Sequence, residues 1–120
     1  MTTEIKILAI DLAKGSFQVC AVGLDGAVLV NPCLSRTRLA ALLAGQPACI
    51  VAMEACATSP HWGRVAQRHG HDVRLVPEAY VKPFVKRQKN DRADAEAIAE
   101  AALRPTMRFV AVKGADTNGH

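Results

Sequence analysis

The sequence predicts a single α/β domain built on a mixed sheet, in the order β-β-β-α-β-α-β-α, with helices packed on the sheet. Its 120 residues are one domain's length, enough to bury roughly two-thirds of the surface the unfolded chain exposes. Short β-branched and apolar runs alternate with segments of helical period, and cap and turn residues punctuate the boundaries between them. No internal repeat or low-complexity segment interrupts this pattern, and the domain is expected over residues 1–112, with 113–120 a tail or linker.

EIKILAIDLA is a strand ending on Asp11, and SFQVCAVGLDGAVLV is two further strands around Asp25-Gly26, a favoured two-residue hairpin turn. The first three strands should therefore form an antiparallel meander. Ser35 caps a helix through Leu43 that stops at Gly45, and ACIVAME is a buried strand ending on Glu54. Ser59 then caps a helix with Pro60 in its first turn, closing at Gly70. HDVRLV is the fifth strand, ending at Pro77, and the last helix, KNDRADAEAIAEAAL over 89–103, is stopped by Pro105. MRFVAV beyond it reads as a short strand or the start of a linker.

Fifteen Lys and Arg against 11 Asp and Glu give a formal charge of +4, which permits a polyanionic partner without requiring one. The basic residues Lys82, Lys86, Arg87 and Lys89 crowd the approach to Asp91. They are candidates for phosphate-backbone contacts, against the alternative of a solvated turn. Cys20, Cys33, Cys49 and Cys56 form no C-x-x-C pair and have no histidine at zinc spacing, which argues against structural zinc. With nothing resembling a signal peptide or membrane span, the expectation is a reducing, cytoplasmic protein. His61, His69 and His71 read as surface or capping residues, and Trp62 as a core or edge aromatic.

The last helix poses the main chemical question. Ala95, Ile98, Ala99 and Ala102 form its apolar stripe, yet Asp91 and Asp94 project toward the start of that stripe. A carboxylate placed against a core needs a partner. Two strands also end in acids, Asp11 and Glu54, and if those strands are parallel neighbours the side chains emerge at one edge. Four carboxylates converging from three elements would repel one another unless divalent cations stood between them. Oxygen ligands without imidazole or thiolate favour Mg²⁺ or Mn²⁺, and two such ions roughly 4 Å apart serve phosphoryl transfer at nucleic-acid backbones. Taken singly, Asp11 and Glu54 also suit strand-end turns, and Asp91 suits a helix first turn.

AIDLAK at 9–14, VAMEAC at 51–56, VPEAYVKPFVKRQKNDRADAEAIAEAAL at 76–103 and RPTMRFVAVK at 104–113 resemble the amino-terminal domain of the DEDD-type insertion-sequence transposases. The resemblance covers nearly the whole chain. It implies a ribonuclease-H-like domain of the RuvC kind, with the D-E-D-D carboxylates on Asp11, Glu54, Asp91 and Asp94 as catalytic metal ligands. It further implies DNA as partner, strand cleavage and exchange during transposition, an element-encoded guide RNA in members of the group, and homo-oligomeric assembly. Members of the family continue past the equivalent of Lys113 into a second domain carrying a nucleophilic serine, whereas this sequence closes on GADTNGH. The expectation is a chain that does not perform the full recombination alone. Ser16, Ser35 and Ser59 suit caps and turns rather than that role. Two rival readings are a non-catalytic nucleic-acid-binding or dimerisation module, and a phosphate-binding fragment of actin-like kinase type. LAKGS after the first strand, with its single glycine, speaks against the latter.

Overall fold

The computed structural model describes residues 4–12, 15–82 and 91–112, with the side chain of Asp91 outside that description. Strands β1 (Ile5–Leu12), β2 (Phe17–Gly23), β3 (Val28–Val30) and β4 (Cys33–Leu34) precede helix α1 (Arg36–Gly45). They are followed by β5 (Ile50–Glu54), α2 (Ser59–Arg68), β6 (Asp72–Val76), the short α3 (Glu78–Val81) and α4 (Asp91–Ala102). The sheet order is β3-β2-β1-β5-β6, with β4 also paired to β2. β1 pairs antiparallel with β2 and parallel with β5, and β5 pairs parallel with β6, so the sheet is mixed as expected.

The alternation of strand side chains divides the core into two layers. Ile7, Ala9, Cys20, Val22, Ala52 and Val76 face α4 on one side of the sheet. Leu8, Ile10, Phe17, Val19, Val51, Met53 and Leu75 face the opposite layer, which holds Leu39 and Leu43 of α1 and Trp62 and Ala66 of α2. Trp62 is a core residue, set edge-to-face against Phe17 at 5.2 Å between ring centroids. The predicted stripe of Ala95, Ile98, Ala99 and Ala102 is buried, as are Ala93, Ala97 and Ala101.

Several local expectations are corrected. The hairpin after β2 is not a two-residue turn on Asp25-Gly26. Gly26 N–H reaches Gly23 carbonyl at 3.0 Å across Leu24 and Asp25, and Gly26 then takes φ +86°. That arrangement is a longer loop with glycine in the left-handed position. The third strand ends at Val30 as expected, and beyond Pro32, which has no N–H for a ladder, an unexpected short strand β4 follows. Ser59 is the first residue of α2 rather than its cap, and its hydroxyl donates to Cys56 carbonyl at 2.9 Å. MRFVAV contributes one antiparallel bridge, Val110 to Leu75, on the outer edge of β6. Of the cysteines only Cys20 is fully buried, while Cys33 and Cys56 are exposed.

His71, expected as a surface or capping residue, is buried, being only 5% exposed. Its Nδ1 accepts from Cys49 N–H at 3.2 Å, which puts the ring proton on Nε2, and Nε2 donates to Leu43 carbonyl at 2.8 Å. One imidazole thereby joins the end of α1 to the start of β5 and satisfies two backbone groups. Periodicity hides this, because a histidine just before a strand has the signature of a turn residue. His71→Ala leaves both backbone groups short of a partner and opens a void, so it should cost about 2–4 kcal/mol in urea denaturation. A change below about 0.5 kcal/mol, the range of neutral surface substitutions, would show that the bridge is dispensable.

Candidate functional site

The site is built by strand register. β1 and β5 run parallel with Ile10 opposite Met53, so Asp11 and Glu54 stand one residue further on at the same sheet edge. Ala9 and Ala52 face α4, and by the period of two Asp11 and Glu54 point to that same side. α4 lies across this face, and Asp94, one turn before Ile98, completes the wall. Asp11, Glu54, Asp94, Ile98, Val81, Glu78 and Lys82 line a single pocket of about 230 Å³. Asp11, Glu54 and Asp94 are each half-buried.

Three of the four predicted carboxylates thus meet in one pocket. Asp91 opens α4, and its side chain lies outside the described residues. Among the predicted basic residues Lys82 is exposed at the pocket wall, while Lys86, Arg87 and Lys89 lie outside the described residues. Glu78 was not anticipated. β6 is the third parallel strand, and it ends at Val76 on the edge where β1 and β5 end. An acid two residues past that end, in Pro77-Glu78, arrives at the same place. Strand order was the missing signal, since nothing in the local sequence of VPEAYV distinguishes Glu78 from a first-turn helix acid.

The pocket carries an excess of negative charge. Burial raises the Glu54 carboxyl above the ordinary carboxylate range, and Glu78, Asp11 and Asp94 raise it further, against the opposing charge of Lys82. Among the described residues, the polar side chains lining it other than Lys82 are carboxylates. The thiols of Cys20 and Cys49 are pushed up to about 11, chiefly by burial, and remain protonated at neutral pH. Among the described residues no three histidine, cysteine or acidic side chains already converge as a metal-ligand group. The donor chemistry is nevertheless that of a hard cation, and the pocket has room for an ion with several waters at about 30 Å³ each.

A meander of β1, β2 and β3, joined through β1 to parallel β5 and β6 with helices on both faces, is the ribonuclease-H-like arrangement, and its acids stand at the edge where parallel strands end. The IS110-type DEDD family, described as Transposase, matches residues 8–118. A probable family 20 transposase of Pseudomonas aeruginosa is 45% identical over 109 residues, covering 91% of this chain and 32% of that protein. The transposase for insertion sequence element IS1328 of Yersinia enterocolitica is 43% identical over 113 residues, covering 94% of this chain and 34% of that protein. The transposase for insertion sequence element IS1111A of Coxiella burnetii is 43% identical over 107 residues, covering 89% of this chain and 29% of that protein. The chain belongs to the IS110-type DEDD transposase family. It spans about a third of the length of these relatives.

The raised Glu54 carboxyl has a consequence for stability. The folded protein holds this proton more tightly than the unfolded chain does. Its contribution is therefore favourable below the ordinary carboxylate range and is lost as pH rises through the raised value. Glu54→Gln should stabilise the metal-free domain at neutral pH, and the gain should vanish in acid. Paired thermal melts at the two pH values measure this, and a variant less stable than wild type at neutral pH would contradict it.

Proposed function

We propose that this chain is the metal-binding carboxylate domain of a DNA transposase, acting in strand cleavage and exchange during insertion-sequence transposition. The observation that carries the reading is the single pocket shared by Asp11, Glu54 and Asp94 at the end of the parallel strands. Asp11, Glu54, Asp94 and Asp91 are assigned as ligands of Mg²⁺ or Mn²⁺. When bound, such ions activate an attacking oxygen and stabilise a leaving one at a phosphodiester. The described residues offer carboxylate oxygens from Asp11 and Glu54 on paired strands and from Asp94 on α4, with Asp91 assigned from its place in the sequence. Glu78 adds a further negative group from the next strand end, and Lys82 at the pocket wall is suited to a backbone phosphate. The chain spans about a third of the length of the related transposases, and the complete reaction is proposed to involve more than this domain.

DNA is the proposed partner, with an element-encoded guide RNA and homo-oligomeric assembly as further parts of the reading. A cytoplasmic location is part of the same reading; none of the described helices is long and apolar enough to cross a membrane.

Metal binding is tested by Mn²⁺-dependent stabilisation of the 120-residue chain. An ion at a hundredfold excess over its dissociation constant should add about 2.7 kcal/mol. Asp94→Asn should abolish the gain, and Glu78→Gln should reduce it by a smaller amount. A wild-type melting temperature that ignores Mn²⁺ would instead favour an inert nucleic-acid-binding module.

The role of the basic residues is tested separately. Replacing Lys82, Lys86, Arg87 and Lys89 together by alanine should weaken duplex-DNA binding similarly across unrelated sequences. Its salt dependence should also flatten, by about 0.9 in slope for each phosphate no longer neutralised. An unchanged slope would return the segment to a solvated turn.

A further inference from the structure

Among the described residues Gln18, Ser59 and His71 are the buried polar or charged side chains. Ser59 and His71 bond to backbone groups near chain turns and strand starts. Gln18 does something different. It stands opposite Asp11 in the β1–β2 register and is 7% exposed. Its Nε2 donates to Asn31 carbonyl at 2.6 Å and to Asn31 Oδ1 at 3.0 Å. With Oδ1 engaged, the Asn31 amide presents Nδ2 in the other direction, and Nδ2 donates to Arg92 carbonyl at 3.1 Å. Arg92 lies in the first turn of α4, between Asp91 and Asp94. A continuous chain of hydrogen bonds therefore runs from the neighbour of Asp11 to the backbone that carries Asp94.

We propose that Gln18 and Asn31 are positioning residues that set the rotation and height of the acid-bearing turn of α4 over the sheet. The inference rests on the metal reading of the carboxylate pocket. The need for such a device comes from the composition of α4. Its buried face consists of alanines and the single larger residue Ile98. Small side chains let a helix approach a sheet closely, but they interlock poorly and so define its rotation weakly. A directional chain of hydrogen bonds, rooted in the buried Gln18 and reaching the helix backbone through the half-buried Asn31, defines orientation better. The break at Pro32 between β3 and β4 is what frees Asn31 from the strand to make this contact. At the far end of the helix, Arg74 Nη1 donates to Ala102 carbonyl at 3.0 Å, which fixes α4 away from the acids and serves as an internal control.

The test is Mn²⁺ titration of the 120-residue protein by calorimetry, comparing wild type with Asn31→Ala, Gln18→Met and Arg74→Ala. Gln18→Met keeps the buried volume and removes the donor, so a role in packing alone would leave metal affinity intact. Asn31→Ala and Gln18→Met are expected to weaken Mn²⁺ binding about tenfold or more, the usual effect of losing an outer-shell partner. Arg74→Ala is expected to lower the melting temperature without changing metal affinity. Wild-type binding with unchanged affinity in both Asn31→Ala and Gln18→Met would overturn the positioning role and leave the metal reading standing. Equal weakening in all three variants would also overturn it, since general destabilisation would then explain the loss. Absence of Mn²⁺ binding by wild type would overturn the metal reading and this inference with it.

Discussion

The parallel pairing of β1 with β5 is the constraint on which the rest of the structure depends. Its register, with Ile10 opposite Met53, brings Asp11 and Glu54 to one edge and one face. A slip of one residue would turn every side chain of β1 over, sending Asp11 into the layer of Leu39 and Trp62 and exposing Ile10 to the acid pocket. The register is held by burial on both faces. Ile7 and Ala9 pack under α4 while Leu8 and Ile10 pack under α1 and α2. Nothing in the acids themselves favours their meeting. The hydrophobic pattern of two strands forces it.

What the core forces together, electrostatics resists. Glu54 is half-buried and faces three other carboxylates, with Lys82 opposing them among the described residues. A domain selected only for stability would not keep this arrangement, and sites that depart from local rules in this way are where function is expected. The same reasoning applies to α4. Its alanine face gives up the interlocking that larger residues would supply, and in exchange lies close enough to the sheet for Asp94 to reach the strand ends. Polar contacts tie α4 at each end, Asn31 to Arg92 carbonyl beside the acids and Arg74 to Ala102 carbonyl away from them.

Family membership and pocket geometry bear on function in different ways. The likeness to insertion-sequence transposases spans nearly all of this chain but only about a third of those proteins. It identifies the kind of machine to which such a domain belongs. The pocket is a recess at the strand ends lined by Asp11, Glu54, Glu78 and Asp94 beside the exposed Lys82.

The sequence by itself determined the α/β class, most of the element order and the faces of the strands and of α4, because each follows from local periodicity and the burial of apolar groups; the short β4 and α3 escaped it, and Trp62 was left between core and edge. It also marked Asp11, Glu54, Asp91 and Asp94 as a set, since two strands ending in acids and two acids set toward an apolar stripe are unusual together, whereas each strand-end acid alone suits an ordinary strand end. Glu78, Gln18, Asn31 and His71 carry no such mark. Glu78 matters because β6 is the next parallel strand, Gln18 because it stands across from Asp11, and Asn31 because Pro32 breaks the edge strand beside it. His71 matters because α1 ends above β5, where its ring meets Leu43 carbonyl and Cys49 N–H. Each of these roles depends on a partner distant in the chain, as in the 61-residue separation of Asn31 and Arg92. Only the tertiary structure decides such pairs, because local propensity acts along the chain and hydrogen bonds and charges act through space.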